Sequence, residues 1–341
     1  MATGAAHGDS SSRSVIYVAL AGNLLVAASK FVAAAWTGSS AMLSEGIHSV
    51  VDTVNELLLL YGIHRSTARP DQAHPLGYGR EIYFWSFIVG LLILTFGAGV
   101  SVYEGITHIR NPHPIESPMV TYIVLGAAAL FEGTSWVFTL RKFKANRPYA
   151  ELFKLIVHSK DPPTFIVLLE DSAALIGLVI AFAGVYLSVA LNKPILDGVA
   201  SIFIGITLGM TAILVARETK GLLIGEAASL RIHDSILALA EQMDGVAQAN
   251  GVVAVQMAPQ EIIVALSVEF TDPLRVPQLE EIVIELERKV RAAHPDVIAL
   301  FIKPQTAERY KESAVQHYGD AEETDSADYA DLRLYTTKSK E

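Results

Sequence analysis

The chain has 341 residues, no cysteine and a formal net charge of −10; 51% of its residues are hydrophobic and only 18% are charged. Soluble domains carry about 25% charged residues, so this composition indicates a membrane protein. It excludes a disulfide scaffold, a zinc finger with cysteine ligands, a thiol enzyme and a basic nucleic-acid binder. The acidic excess lies entirely beyond residue 217, so an apolar part precedes an acidic part.

Six long apolar segments follow one another in the first part of the chain. They span roughly 15–36, 41–62, 82–104, 119–140, 164–190 and 195–216. Each is long enough to cross a bilayer as a helix, for which about 20 residues suffice. No small-residue cleavage site follows the first segment, so it does not resemble a cleaved signal peptide. We therefore expect a flexible head at 1–12 and an all-α domain of six transmembrane helices at 13–217.

Basic residues are concentrated in one set of connecting segments. That set comprises the head with Arg13 and the loops 63–81 and 141–163, whereas the opposite set carries only Arg110 and Lys193. Loops rich in Lys and Arg stay on the cytoplasmic side of a membrane. Both termini are therefore expected in the cytoplasm, and the bacterial inner membrane is the expected location.

Beyond residue 217 the apolar runs give way to amphipathic and strand-like segments. Helical periodicity at 233–243 and 276–294 predicts two helices, and the Val- and Ile-rich stretches predict strands at 251–257, 262–270 and 297–302. An α-β-β-α-β order predicts a small α+β domain at 218–305, with its helices on one face of a sheet. The stretch from His317 to Asp331 contains acids and no base, so 306–341 is expected to be an acidic, disordered tail.

The second apolar segment carries ionisable residues near its centre, in the run SEGIHSVVDTVNE. His48 and Asp52 are four residues apart and therefore share one helix face. Ionisable groups inside a membrane are costly and by default mark a functional site, although a buried pair that only tightens helix packing is an alternative. An imidazole and a carboxylate at this spacing form half of a tetrahedral site for a divalent metal such as zinc. The other half must come from another helix.

The fifth apolar segment supplies further acids, in the run LLEDSAALIG. Glu170 and Asp171 are adjacent, and adjacent helical residues point about 100° apart, so only one of them is expected to face the site. The other is then protonated or hydrogen-bonded. Glu132 in the fourth segment is a buried acid with no evident partner. Lys30 and Asp197 lie near segment ends, where snorkelling or interfacial contacts explain a charge.

These motifs occur in a characteristic order: His48-x-x-x-Asp52 in the second span, an acid pair ending at Asp171 in the fifth, and a cytoplasmic HPLGYGR segment entering the third. With six spans and a small C-terminal domain, the chain resembles the cation diffusion facilitator family over roughly residues 13–305. The resemblance implies a homodimer in lipid, with no prosthetic group, in which each protomer exports a divalent metal in exchange for protons. It also implies a ferredoxin-like, metallochaperone-like cytoplasmic domain.

The family's metal site falls on His48, Asp52 and Asp171. Many members have His or Asp four residues before the fifth-span Asp, whereas this chain has Val167 there, which cannot bind metal. The fourth ligand is then Glu170 or water. The Glu-Asp pair resembles a zinc-transporter branch of the family. A histidine in the second span favours zinc, whereas an all-carboxylate site favours manganese or iron.

Two accessory metal sites of the family look degraded in this chain. Where the family's loop reads HPxGHG, His74 is kept and Asp71 lies three residues before it, but Tyr78 replaces the second histidine. Where zinc-binding members have IHxDP in the last strand, Phe301 and Lys303 stand at the His and Asp positions. The cytoplasmic domain is therefore expected to pair through apolar surface, independently of metal.

The expected function is proton-coupled efflux of a divalent cation, Zn²⁺ before others, from the cytoplasm by alternating access. Metal ligands must be deprotonated, and an imidazole with a pKa near 6.5 lets His48 exchange a proton for metal. Three alternatives stay open. The cation could be Co²⁺, Mn²⁺, Fe²⁺, Ni²⁺ or Cd²⁺; the protein could be a metal sensor without transport, as Val167 allows; or it could be an intramembrane metalloprotease, which the lack of an HExxH motif disfavours.

Overall fold

A computed structural model describes residues 23–144 and 159–318. The chain divides into two compact units between Gly221 and Leu222, close to the change in sequence character at 217. The expected flexible head, residues 145–158 of the basic loop and the tail beyond residue 318 lie outside the described residues.

The first unit is helical. Its described helices are α1 (Asn23–Thr37), α2 (Ser40–Ser66), α3 (Glu81–Arg110), α4 (Pro118–Lys144), α5 (Pro162–Ala190) and α6 (Ile195–Ile224). Within the described ranges, four helices, α3 to α6, are long and apolar enough to cross a membrane. The described part of α1 is shorter, and the 27 residues of α2 include His48, Asp52 and Glu56, which lower its hydropathy. A membrane-type helical unit is thus confirmed, with four apolar helices.

Helices α3 and α6 approach each other closely at two glycines. A Cβ atom on Gly105 would lie 2.6 Å from the carbonyl oxygen of Gly198, so a larger residue would push the helices apart. Small residues of this kind allow membrane helices to associate through van der Waals contact. The middle of α3 also contains a π-helical segment, Ile93–Ala98, and such segments occur frequently at functional sites.

The N-terminus of α2 is fixed by a buried acid from α6. Ser39 Oγ accepts a hydrogen bond from the Met42 amide at 3.2 Å and donates one to Asp197 Oδ1 at 2.8 Å. Asp197 also accepts the backbone N–H groups of Ser40 and Ala41, and a carboxylate here complements the positive end of the helix. Asp197 is fully buried, so its interpretation as an interfacial residue is wrong, because nearness to a segment end does not determine which way a side chain faces.

The second unit is α+β, as predicted. It contains α7 (Leu230–Glu241), β1 (Val246–Ala258), β2 (Glu261–Phe270), α8 (Val276–Ala293) and β3 (Val297–Pro304). The sheet order is β1-β2-β3; β1 and β2 are antiparallel, whereas β3, reached through α8, joins β2 in parallel. The predicted α-β-β-α-β order is therefore confirmed.

One apolar core holds the two helices against this sheet. Ile236 of α7 and Leu286 of α8 pack with Val252 of β1 and Val264 and Leu266 of β2. The stripes at helical spacing and the apolar strands thus bury their side chains in the same layer, as their periodicities predict.

The chain continues beyond β3 into a further helix, α9 (Ala307–Tyr318), where the acidic composition predicts a disordered tail. That prediction is wrong for this part of the tail. The Ala307 amide donates to Glu269 Oε2 at 2.8 Å, and Tyr310 lies against Gly251 of β1 at a distance that leaves no room for a Cβ atom. The acidic run that indicates disorder is concentrated beyond this helix, so composition did not reveal the helix.

Replacing Leu286 by Ala should destabilise the second unit by about 2–5 kcal/mol, the usual cost of truncating a buried leucine. Leu286 is fully buried, whereas Ile284 on the same helix is 59% exposed, so Ile284→Ala is the matched control and should cost little. Hydrogen exchange of the β1 and β2 amides in the full chain measures the difference. Equal loss of protection in the two variants would contradict this packing.

Candidate functional site

His48 and Asp52 lie on one face of α2, as their spacing predicts. His48 Nδ1 is 3.2 Å from Asp52 Oδ1, and His48 is almost completely buried. His48 Nε2 is also buried, and none of the described residues forms a hydrogen bond with it. Buried polar atoms normally have a partner, so this imidazole nitrogen is an exception among the described residues.

A cavity of about 60 Å³ lies among α1, α2, α4 and α5, which is room for roughly two water molecules. Carboxylates dominate its lining: Asp52 and Glu56 from α2, Glu132 from α4, and Glu170 and Asp171 from α5. The structure therefore brings three of the four predicted site residues to one cavity. His48 is not part of the lining and meets the site through Asp52.

Both acids of the α5 pair face this cavity, so the expectation that only one would do so is wrong. Glu170 Oε1 accepts a hydrogen bond from Asn55 Nδ2 at 2.6 Å, and Asp171 Oδ2 accepts one from Ser135 Oγ at 3.3 Å. Asn55 belongs to α2 and Ser135 to α4. Because the cavity lies where several helices meet, two directions about 100° apart on α5 both reach polar partners.

Val167 also lines the cavity, one helical turn before Asp171. Its apolar side chain stands where the family resemblance places a fourth ligand. Within residues 23–144 and 159–318, no three His or acid side chains lie close enough together to hold a metal ion. The cavity thus collects candidate ligands without arranging them as a closed coordination sphere.

A buried lysine lies beside the cavity. Lys30 Nζ is 2.7 Å from Glu132 Oε1 and 3.1 Å from Glu45 Oε2, and it donates to Ser49 Oγ at 2.9 Å. Lys30 is fully buried, so its interpretation as a snorkelling residue is wrong, and Glu132 has the partner that its sequence context did not show. The sequence signal for this ion pair is that apolar segments far apart in the chain carry charges of opposite sign, and such charges inside a membrane are expected to pair.

The HPLGYGR loop between α2 and α3 is organised around Asp71. Asp71 Oδ2 accepts a hydrogen bond from the Tyr78 hydroxyl at 2.7 Å, and Oδ1 accepts the backbone N–H groups of Ala73 and His74 at 2.9 and 2.7 Å. The Tyr78 hydroxyl, followed by the His74 amide, holds the pKa of Asp71 below its usual range. The residue that replaces the family's second histidine therefore binds the acid that precedes the first.

The candidate ligand positions of β3 are surface positions. Phe301 is 58% exposed, and Lys303 is also exposed. His294 Nε2 lies 2.8 Å from Ser235 Oγ, while His233 is buried on α7. None of these groups forms a metal-binding cluster within the described residues.

Apolar helices around an acid-lined cavity define a membrane protein that handles cations. A family model of the cation efflux transmembrane domain matches residues 16–224. The chain belongs to the cation efflux family, which confirms its resemblance to the cation diffusion facilitators. Proteins of this kind are metal cation transporters and not enzymes.

Individual relatives agree with this assignment. The chain is 37% identical over 212 residues to the mitochondrial proton-coupled zinc antiporter SLC30A9 of Homo sapiens, which covers 61% of this chain and 37% of that protein. It is 34% identical over 222 residues to metal tolerance protein C4 of Arabidopsis thaliana, 64% of this chain and 48% of the relative. The chain thus spans less than half the length of these two relatives. An uncharacterized transporter of Methanocaldococcus jannaschii, MJ0449, is 21% identical over 81% of this chain and 92% of its own length.

Zinc should leave the stability of the second unit unchanged, because Phe301 and Lys303 offer no ligand. A metal bound there at a hundredfold excess over Kd would add about 2.7 kcal/mol and would slow exchange through unfolding by about a hundredfold. Hydrogen exchange of the β3 amides in the full chain, with zinc and with chelator, makes the comparison. The same pair of measurements in Asp171→Asn serves as the control for metal in the cavity. Zinc-dependent protection of β3 in both proteins would restore a metal site in this unit.

Proposed function

We propose that the protein exports a divalent metal cation, with Zn²⁺ as its main substrate, from the cytoplasm in exchange for protons. The observation that carries this proposal is the cavity lined by Asp52, Glu170 and Asp171, with His48 Nδ1 3.2 Å from Asp52 Oδ1. Carboxylate oxygens and an imidazole nitrogen are the donors that zinc takes in proteins that offer it no thiolate. Such groups are costly among apolar helices, and binding a cation gives them a function.

The relatives support the choice of substrate and counter-ion. The human relative is named as a proton-coupled zinc antiporter. The family match at 16–224 includes every residue that lines the cavity of this chain. A change of ligands between metal-bound and protonated forms would couple the two fluxes, because metal binding releases protons from its ligands.

The proposed transport cycle needs a complete membrane domain. We propose that α1 and α2 cross the membrane together with α3 to α6, giving six spans, and that two copies form a homodimer. The basic loops support cytoplasmic termini and, in a bacterium, an inner-membrane location. The cavity is then exposed alternately to each side of the membrane. Metal and protons each shift the equilibrium between the two conformations toward the one that they bind better.

Two observations favour alternative functions, namely transport of a different metal and metal sensing without transport. The ionisable residues of the lining are all carboxylates, without a histidine. Such a lining favours Mn²⁺ or Fe²⁺ more than a site in which histidine binds the metal directly. Val167 leaves the predicted fourth-ligand position apolar, which favours a metal sensor that does not transport. Zinc and manganese flux into vesicles separates the three, since a sensor binds metal without moving it.

Each of the single variants Asp52→Ala, Asp171→Ala and His48→Ala should reduce zinc flux in proteoliposomes by about a hundredfold or more. Even the loss of a residue that only hydrogen-bonds a metal ligand lowers metal affinity or activity by about 10–100-fold. The effects should not add in a double variant, since one removal already destroys the shared coordination sphere. Glu104→Ala, which removes an acid of α3 outside the cavity lining, is the control and should transport normally. Wild-type flux in Asp52→Ala would contradict the proposed site.

Replacing Glu170 by Gln tests the fourth ligand. Glutamine keeps an oxygen that can accept the Asn55 hydrogen bond, so the change removes charge and ligand strength with little change of shape. If Glu170 binds the metal, zinc affinity should fall at least tenfold further than in a variant that removes only a charge from the cavity lining. Glu56→Gln is the matched control, because Glu56 also lines the cavity and accepts a hydrogen bond from Asn23 at 2.7 Å. An equal fall in the two variants would show that the charge of the cavity matters and not ligation by Glu170.

A further inference from the structure

Lys30 has no role in a site formed by His48, Asp52, Glu170 and Asp171, yet it is fully buried next to that site. It joins three helices, because its ammonium on α1 contacts Glu45 on α2 and Glu132 on α4. A buried charge is tolerated when it is paired and hydrogen-bonded, and Lys30 satisfies this with two carboxylates and the Ser49 hydroxyl.

Glu132 connects this ion pair to the cavity. Its Oε1 atom is 2.7 Å from Lys30 Nζ, while the same side chain is part of the cavity lining. Its Oε2 atom is buried, and no described residue forms a hydrogen bond with it. The positive charge of Lys30 is therefore one side chain away from the space proposed to hold the metal.

The other acid of the network is accommodated by a glycine. Glu45 lies against Gly177 of α5, at a distance that leaves no room for a Cβ atom there. This close approach places the second carboxylate of the network directly on the helix that carries Glu170 and Asp171. The network is therefore built into the contact between the helices that surround the cavity.

The charges of the lining show why such a cation matters. The lining contains five acids and, among the described residues, no Lys or Arg. Like charges repel far more strongly in a protein interior than in water, and one divalent cation offsets only two of them. A permanent cation in contact with one lining acid lowers the negative charge that the transported metal meets.

We propose that Lys30 is a fixed internal counter-cation of the transport cavity, which acts through Glu132 to set how tightly the transported metal is held. The inference rests on the proposed function, since it assumes that the metal binds in this cavity. Transport requires binding that is strong enough to load the site and weak enough to release the ion. Lys30 is a positioning and charge-setting residue in this account, and it does not touch the metal.

The experiment is a double-mutant cycle on the purified full chain that neutralises Lys30 and Glu132 separately and together. Zn²⁺ affinity is measured by calorimetry, and flux is measured in proteoliposomes. Lys30→Met removes the cation, so zinc should bind at least tenfold more tightly while the maximal flux falls. Glu132→Gln removes an acid, so zinc should bind at least tenfold more weakly. The double variant restores the charge balance and should return to within about threefold of wild-type affinity. Lys30→Arg keeps the charge and should behave as wild type.

Each other pattern overturns the inference. If Lys30 only holds the helices together, both single variants weaken binding and the double variant does not recover. If Glu132 is itself a ligand, the double variant stays as weak as Glu132→Gln. Should Lys30→Met fail to fold, the comparison of Glu132→Gln with the double variant decides: tighter binding by the double variant supports the counter-cation, and equal binding rejects it.

Failure of the proposed function has a different signature. Wild-type protein that binds no zinc, or that binds it as well after Asp171→Asn, rejects the cavity as the metal site. Zinc binding that depends on Asp171 but does not change in opposite directions in the two single variants rejects only the role of Lys30.

Discussion

The first unit depends on one constraint: the carboxylates around its cavity lie among apolar helices, so each must be neutralised or hydrogen-bonded locally. Asp171 and Glu170 are held by Ser135 and Asn55, and Glu132 is held by Lys30. The same pairs join α1, α2, α4 and α5. The contacts that neutralise or hydrogen-bond the buried carboxylates are therefore also contacts between helices. A cation that enters the cavity would change both the charge balance and the helix packing.

The packing around the cavity positions its candidate ligands. Asp197 holds the N-terminus of α2 through Ser39 and two backbone amides, which sets the direction of the helix that carries His48 and Asp52. Close approach at Gly105 and Gly198 joins α3 to α6, the helix that supplies Asp197. Movement of α6 would therefore act on α2 directly, and this contact would connect helix packing to the site in the proposed transport cycle.

The sequence predicted what depends on local spacing. His48 and Asp52 share a face because they are four residues apart, and the α-β-β-α-β order follows from hydrophobic period. The sequence did not predict what depends on partners distant along the chain. Lys30 and Glu132 are about a hundred residues apart, and hydropathy says nothing about which way Lys30 faces. The same reason explains the errors at Asp197 and at the Glu170–Asp171 pair, whose partners lie on other helices. Helix α9 was missed because the acidic run that follows it dominates the composition of residues 306–341.

If this cavity exchanges a metal cation for protons, zinc flux in proteoliposomes must depend on a proton gradient across the membrane. With wild-type protein, an acidic interior should drive zinc accumulation, and a protonophore that collapses the gradient should abolish it. Flux in Asp171→Asn should stay at the level of protein-free vesicles under both conditions. Zinc flux that is the same with and without the gradient, or that persists in Asp171→Asn, would contradict the account.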